Sequence, residues 1–216
     1  MAAFTLADEL ALLAYDDHGT NRMTSYGLGY GLAGALLAEL RLAGRVRVDD
    51  GRIVVVDHTP IGAPLPDAAL RRIAGDEKRH RPKSWVTKLA KDLPGRVLDG
   101  LVVAGILRRE EGRVLWVFPR TRYPSPGGVE PPVETQVRAR VEGAVRTIGP
   151  IEPRTAALMA LIRATKFEKK AFPDLPRDQI KARLRVAAEG DWVADAVRRA
   201  VQDTEAALVA ATSSHG

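Results

Sequence analysis

The chain has 216 residues, 45% of them apolar, which is long enough to bury a hydrophobic core. It contains no cysteine, which excludes disulfide bonds and thiolate metal sites and is typical of the reducing cytoplasm. A formal net charge of +6 favours polyanionic partners, whether nucleic acids, anionic lipids or acidic proteins. The N-terminus lacks the pattern of a signal peptide, and no apolar run reaches the roughly 18 residues of a transmembrane helix. We therefore expect a cytoplasmic protein that does not span a membrane.

The first part of the chain predicts two helices separated by a loop. Thr5 and Asp8 form the pattern of a capping box, and leucines at helical spacing then predict a first helix. A polar, glycine-rich stretch over residues 18–31 predicts a loop. Apolar residues at 35–42 predict a second helix, which Gly44 ends.

A helix followed by a hairpin is predicted twice. Two β-rich runs flank Asp50-Gly51, the strongest local hairpin signal in the chain. Residues 34–56 align without a gap to residues 95–117, with identical residues at caps, core positions and turn glycines. This indicates one unit used twice, similar to a winged helix-turn-helix. Local convergence on a common helix-to-hairpin connection would give the same pattern.

Between the two copies the sequence is basic. Asp67 is placed to cap a helix that ends near Ile73. A basic run at 78–83 then precedes a helix predicted over 84–93, which carries Trp85, Lys88 and Lys91.

The last third of the chain is predicted to be a loop followed by helices. Residues 119–132 are rich in proline and glycine, which indicates a loop. Helical periodicity then predicts helices over 133–146, 154–165, 177–188 and 191–211. The fold class predicted overall is mainly α, a compact helical domain with two short β-hairpins in winged-helix-like repeats. We expect one domain over 1–212, with sub-modules 1–75, 78–125 and 130–211 and a frayed tail at 213–216.

Catalytic and metal-binding patterns are absent, and one sequence resembles a nucleotide-binding motif. The four histidines have no zinc-ligand spacing and are interpreted as surface residues, and no catalytic triad pattern stands out. Residues 29–34 read Gly-x-Gly-x-x-Gly before a helix, the fingerprint of a dinucleotide site. The strand that should precede it is missing, which favours a close-packed helix start over a nucleotide site.

Several local strings, in order, resemble the Golgi phosphoprotein 3 family, including its bacterial members. They are Leu10-Ala11-Leu12-Leu13-Ala14-Tyr15-Asp16-Asp17, Gly31-Leu32-Ala33-Gly34-Ala35-Leu36-Leu37-Ala38-Glu39-Leu40, Pro60-Ile61-Gly62, Arg96-Val97-Leu98, Gly105-Ile106-Leu107 and Phe118-Pro119-Arg120-Thr121-Arg122-Tyr123-Pro124. The match extends over nearly the whole chain. The resemblance implies a helical protein that binds phosphatidylinositol 4-phosphate in a basic pocket and presses an apolar hairpin into the membrane. It implies an adaptor, with possible protein clients, and neither catalysis nor a cofactor.

The resemblance places the family's pocket positions at Tyr26, Ala33, Lys91 and Pro94, with Arg96 at a further basic position. A phosphate needs fixed donors and positive charge, which nearby basic residues supply. The candidate head-group site therefore comprises Tyr26, Trp85, Lys88, Lys91, Arg96, Arg120 and Arg122.

The family's membrane-dipping strand corresponds here to residues 114–118, with Leu115, Trp116, Val117 and Phe118 as the expected membrane contacts. As a single strand, it would place alternate residues on opposite faces. An apolar strand of this length fits a protein core equally well.

We predict a peripheral membrane protein that recognises anionic phospholipid, with phosphatidylinositol 4-phosphate as a candidate lipid. The first alternative is a winged-helix-like nucleic-acid-binding or protein-interaction protein, although the presumed recognition helices, 35–42 and 97–103, are too apolar to read bases. The second alternative is a nucleotide-dependent enzyme that uses residues 29–34.

Overall fold

The computed structural model describes residues 4–114 and 118–213, of which 113, 114 and 118–120 are described by their backbone alone. Within that range the protein is mainly helical, with two small antiparallel two-stranded sheets. The helices are α1 (Leu6–Ala14), α2 (Ser25–Leu42), α3 (Pro64–Ala74), α4 (Pro82–Ala90), α5 (Leu93–Val103), α6 (Pro132–Arg146), α7 (Pro153–Ala164), α8 (Glu168–Ala171), α9 (Arg177–Ala187) and α10 (Trp192–Ser213). The strands are β1 (Val46–Asp49), β2 (Arg52–Val55), β3 (Glu110–Val114) and β4 (Phe118–Arg122). The predicted fold class is confirmed.

Capping residues set where several helices begin. The predicted capping box is confirmed, because the Asp8 amide donates to Thr5 Oγ1 and the Thr5 amide donates to Asp8 Oδ2. The prediction for Asp67 is wrong. Helix α3 already begins at Pro64, and the Asp67 carboxylate accepts hydrogen bonds from the amides of Ile61 and Gly62 in the preceding loop. Asp67 therefore fastens the loop to the helix instead of capping the helix.

Helix α2 is the central element of the fold. It contacts α1, α3, α4, α5, α7 and α10, and 13 of its 18 residues are buried. The loop predicted over 18–31 is wrong in its second half, because α2 begins at Ser25 with Thr24 as its N-cap. The glycines in this half lie inside the helix, and at Gly31 a Cβ would lie 2.9 Å from Leu10 Cδ2 and 3.1 Å from Thr165 Cγ2.

The first predicted hairpin is confirmed. Strands β1 and β2 pair with Val46 opposite Val55, and Asp50 and Gly51 form the turn with positive φ angles of 46° and 69°. Two adjacent positive φ values are the signature of a type I′ turn, for which Asp-Gly is a favoured sequence. The β2 strand is fixed to the rest of the protein because the Ile53 amide donates to the carbonyl of His80.

The repeat holds through the helix ends and fails in the hairpins. Both α2 and α5 end in the same kind of cap, with Gly44 and Gly105 at φ 72° and a 6→1 hydrogen bond from the next residue. However, Gly112, which the alignment sets opposite the turn residue Gly51, lies inside β3 and pairs with Arg120. The single strand predicted over 114–118 is also wrong, because Val114 closes β3 and pairs across the hairpin with Phe118 of β4.

The helix predicted over 84–93 is interrupted. Helix α4 ends at Ala90, Asp92 adopts a left-handed conformation with φ 58°, and α5 begins at Leu93. Pro94 in the first turn of α5 contributes to the break, because it has no amide proton to continue the hydrogen-bond ladder of α4. The break falls in a basic part of the sequence.

The C-terminal helices pack on α1 and α2 through a buried ionic cluster. The predicted helices are confirmed within one to two residues at each end, except that Ser213 still belongs to α10. The Arg154 guanidinium on α7 donates to Glu39 Oε1 at 2.8 Å and to Glu9 Oε1 at 3.3 Å, and Arg140 also pairs with Glu9. Both carboxylates are buried, so the four charged groups balance one another inside the protein.

Candidate functional site

Two exposed cations flank the break between α4 and α5. Lys91 follows the last residue of α4, and Arg96 lies in the first turn of α5. Both side chains are exposed. We call residues 91–96 the α4–α5 joint.

The start of α2 lies beside the C-terminal end of α4. Gly29 faces Ala90 across this contact, and a Cβ there would lie at an ordinary van der Waals distance, 3.5 Å, from both the Cβ and the carbonyl oxygen of Ala90. Tyr26 is one helical turn earlier in α2, half-buried, with its ring centroid 6.5 Å from that of Tyr30. Tyr26 lies at the start of α2, Lys91 directly after α4 and Arg96 in the first turn of α5. These three members of the predicted site thus lie at helix ends.

Trp85 is a core residue and not a surface one. Its side chain is 1% exposed, and its ring packs edge-on against His80 with the centroids 5.5 Å apart. The Lys88 ammonium lies 5.1 Å from the ring centroid, within the range of a cation–π contact. Trp85 therefore supports the base of this region and does not face a ligand directly.

Lys88 is held by neighbouring polar groups. Its Nζ donates to Asp76 Oδ2 at 2.9 Å and lies 2.6 Å from His80 Nε2. The hydrogen bond from Lys88 lowers the pKa of the Asp76 carboxyl to about 2, so this carboxylate is charged at neutral pH. His80, interpreted from sequence as a surface residue, is half-buried in this cluster. Lys88 is consequently less free to bind a phosphate than Lys91 or Arg96.

The second hairpin is anchored to the loop before α2. The Tyr123 amide donates to the carbonyl of Gly19, and the rings of Tyr15 and Tyr123 meet edge to face at 6.0 Å. A side chain at Gly19 would clash with Pro124, whose nitrogen lies 2.3 Å from the position that a Cβ would take. This contact places the base of the hairpin near the chain segment that leads into α2.

Two predicted residues and the predicted apolar contacts belong to this hairpin. Arg122 is exposed and pairs in register with Glu110 at the base of the hairpin. Arg120 pairs through its backbone with Gly112, and its side chain is not among those described. Of the expected membrane contacts, Leu115, Trp116 and Val117 lie outside the described residues, and only the backbone pairing of Phe118 is described. Their role as membrane contacts stays a prediction.

The positive charge of the protein is concentrated in residues 71–96, which we call the basic segment. It contains nine lysines and arginines against three acidic residues, a difference equal to the net charge of +6 of the whole chain. The rest of the chain carries 24 basic and 24 acidic residues. Seven of the nine cations are exposed, namely Arg71, Arg72, Lys78, Arg79, Arg81, Lys91 and Arg96.

Five of these exposed cations were absent from the site predicted by sequence: Arg71, Arg72, Lys78, Arg79 and Arg81. A sum of charge along the chain would have found them, since it needs no structure. The structure adds that α3 and α4 are joined, because Arg72 donates to the carbonyl of Lys88 at 3.0 Å. This hydrogen bond thus holds together two helices that contribute to the basic segment.

The Gly-x-Gly-x-x-Gly sequence is a packing motif. All of residues 29–34 lie inside α2, and residues 4–28 contain no strand before them. A Cβ at Gly34 would lie 2.4 Å from Val197 Cγ2 and 2.7 Å from Leu161 Cδ2. The close-packed interpretation is confirmed, because other helices pack against these glycines and leave no room for a pyrophosphate.

Other functional interpretations receive little support in the described residues. Helix α2, a presumed recognition helix of the nucleic-acid alternative, is buried along most of its length and cannot enter a DNA groove. Residues 4–114 and 118–213 contain no group of three or more His, Asp or Glu side chains placed to share a metal ion. Among the helices in those ranges, none combines the length and apolar character needed to cross a bilayer.

Comparison with known protein families agrees with this architecture. A sequence model of the family described as Golgi phosphoprotein 3 (GPP34) matches residues 6–204. The match includes every helix from α1 to α9, both hairpins and more than half of α10.

Proposed function

The chain belongs to the Golgi phosphoprotein 3 family, and from this premise we propose that it is a peripheral membrane protein whose basic segment binds anionic phospholipid head groups. It acts by binding, without catalysis, on the cytoplasmic surface of a membrane. Family membership agrees with this proposal, and the charge distribution is the observation that carries it.

The charge distribution favours a surface partner of opposite sign. Each basic residue near an anionic bilayer contributes about 1 kcal/mol, so the net charge of the basic segment gives about 6 kcal/mol. An energy of about 6 kcal/mol corresponds to a Kd between the millimolar and micromolar ranges, which suits reversible attachment. The rest of the chain carries equal numbers of basic and acidic residues.

A specific head-group pocket is the finer part of the proposal. We place it at the α4–α5 joint, where Lys91 and Arg96 are exposed donors and Tyr26 is a half-buried aromatic side chain with a polar end. A guanidinium and an ammonium suit a phosphate monoester such as the one in phosphatidylinositol 4-phosphate. Trp85 and Lys88 support this region from the interior.

The test is flotation of the purified protein with three kinds of liposome: zwitterionic, generically anionic, and containing phosphatidylinositol 4-phosphate at the same total charge. We expect flotation with both anionic kinds and more with the phosphoinositide. A Lys91→Ala, Arg96→Ala variant should lose the phosphoinositide preference. Equal flotation with zwitterionic and anionic liposomes would refute the proposal.

A matched control separates the site from the overall charge. Arg163 on α7 and Arg185 on α9 are exposed and lie outside the basic segment. An Arg163→Ala, Arg185→Ala variant loses the same charge and should float like the wild type. If both double variants lose flotation equally, the binding site is not at the α4–α5 joint.

A further inference from the structure

A groove lies at the opposite end of α4 from the α4–α5 joint. It has a volume of about 670 Å³ and opens between the β1–β2 turn, the first turn of α4 and the first half of α10. Four cationic side chains line it, Arg52, Arg81, Lys83 and Arg199, and Trp192 adds a half-buried indole. Helix α4 has nine residues, about 13 Å at 1.5 Å per residue, so the groove is separate from the joint.

The lining keeps unpaired positive charge. Of its three carboxylates, Asp203 pairs with Lys83, and Asp195 pairs with Arg198 outside the groove at 3.0 Å. The third, Asp50, belongs to the hairpin turn. Within the described part of the chain, the side chains of Arg81 and Arg199 have no hydrogen-bonding or ionic partner.

The walls of the groove are fixed to one another. Arg52 Nη1 donates to the carbonyl of Arg79 at 2.6 Å, and the Ile53 amide donates to the carbonyl of His80. These bonds hold the hairpin against the segment that leads into α4. The Lys83–Asp203 pair joins the start of α4 to α10. Because the three walls are held together before any ligand arrives, binding requires little ordering of the groove.

We propose that this groove binds a small phosphate-bearing anion. Arginine is suited to this role, because its planar guanidinium presents paired N–H donors that match two phosphate oxygens. Arg81 comes from the segment before α4 and Arg199 from α10, so they approach the groove from two walls. The anion is a soluble phosphate compound or a second lipid head group, which share this chemistry. The groove shares Arg81 and Lys83 with the basic segment, but its binding of a soluble anion does not require the membrane binding proposed above.

The first experiment uses a soluble probe and no membrane. Titration calorimetry with inorganic pyrophosphate should give saturable binding to the wild type. An Arg81→Gln, Arg199→Gln variant should bind at least about tenfold more weakly, because two charge-assisted contacts are lost. The Lys91→Ala, Arg96→Ala variant should bind like the wild type. Absence of saturable binding at millimolar pyrophosphate, or equal weakening in both variants, would overturn the proposal.

The second experiment identifies the source of the phosphate. The same variants are floated with liposomes that contain phosphatidylinositol 4-phosphate or generic anionic lipid. Because Arg81 also belongs to the basic segment, the Arg81→Gln, Arg199→Gln variant should float less with both anionic liposomes. If it loses pyrophosphate binding and keeps the preference for the phosphoinositide, the groove takes a soluble anion. If it also loses the phosphoinositide preference, the groove takes a lipid head group. Failure of all flotation with pyrophosphate binding intact would refute the membrane proposal and support the groove.

Discussion

Replacing Gly34 with alanine tests whether the glycine-rich start of α2 is a packing motif. In an open helix interior, glycine to alanine stabilises a protein by about 0.5–1 kcal/mol. At Gly34 the new Cβ would lie 2.4 Å from Val197 Cγ2 and 2.7 Å from Leu161 Cδ2. Val197 is β-branched and stiff in its helix, and overpacking of this kind costs about 1–3 kcal/mol. We therefore expect a net destabilisation of about 1–2 kcal/mol, a fall in Tm of about 2–8 °C.

The assay is urea unfolding followed by circular dichroism, with thermal unfolding as a second measure. The matched control is Gly143→Ala on α6, where the glycine is helical and exposed and a Cβ would meet nothing within 4 Å. That variant should gain stability, so the two alanines should change the unfolding free energy with opposite signs. If Gly34→Ala gains stability as Gly143→Ala does, the close packing of α2 against α7 and α10 is not what requires glycine.

Two further substitutions test buried charges. Arg154→Met should lower the unfolding free energy in urea by about 3–5 kcal/mol, because it leaves Glu9 and Glu39 buried without their shared cation. The exposed Arg163→Met is its control, and a loss of less than about 1 kcal/mol for Arg154→Met, on the order of an exposed pair, would contradict the cluster. Burial raises the pKa of Glu134 from 4.5 to about 7, so the stability that this carboxyl contributes should be present below about pH 4.5 and fall as the pH rises to about 7. Glu134→Gln should flatten that fall, which is at most about 3 kcal/mol, and identical pH profiles would exclude this assignment.

Local signals in the sequence were enough to find most helices and one hairpin. The Thr5 capping box, the Asp50-Gly51 turn and the glycine caps after α2 and α5 depend on a few adjacent residues, and all were found correctly. These features are local because their hydrogen bonds close within about six residues, so neighbouring residues decide them.

The errors arose mainly where distant contacts decide the structure. Residues 25–31 have the composition of a loop, yet they form the start of α2, where Gly31 packs closely against Leu10 of α1. By contrast, the error at Asp67 is local, because its carboxylate accepts from the amides of Ile61 and Gly62, six and five residues earlier. The repeat alignment assumed equal loop lengths, and the second hairpin begins three residues later than its copy would. None of these contacts can be deduced from spacing along the chain.

Some residues of the predicted site are exposed as expected, and the role of others is decided by tertiary contacts. Lys91 and Arg96 were assigned from the resemblance to the family, without the break between α4 and α5, and both are exposed. Trp85 was chosen for its place beside lysines, yet it is buried, with Lys88 turned toward its ring and toward Asp76. Whether a cation is free to bind a ligand depends on its distance from the carboxylates of other elements. The sequence does not give that distance.

The arrangement of charge suggests why the basic segment is the part of the protein that meets a polyanion. Elsewhere, buried carboxylates such as Glu9 and Glu39 are matched by arginines from other helices, so charge there stabilises the fold. In the basic segment Asp76 forms an ion pair with Lys88. The seven exposed cations there outnumber the remaining acidic residues. Such an excess repels itself in the free protein and is relieved when an anionic surface or phosphate neutralises it. Raising the ionic strength should therefore weaken both proposed interactions, while the internal ionic cluster, which is screened much less, holds the helices together.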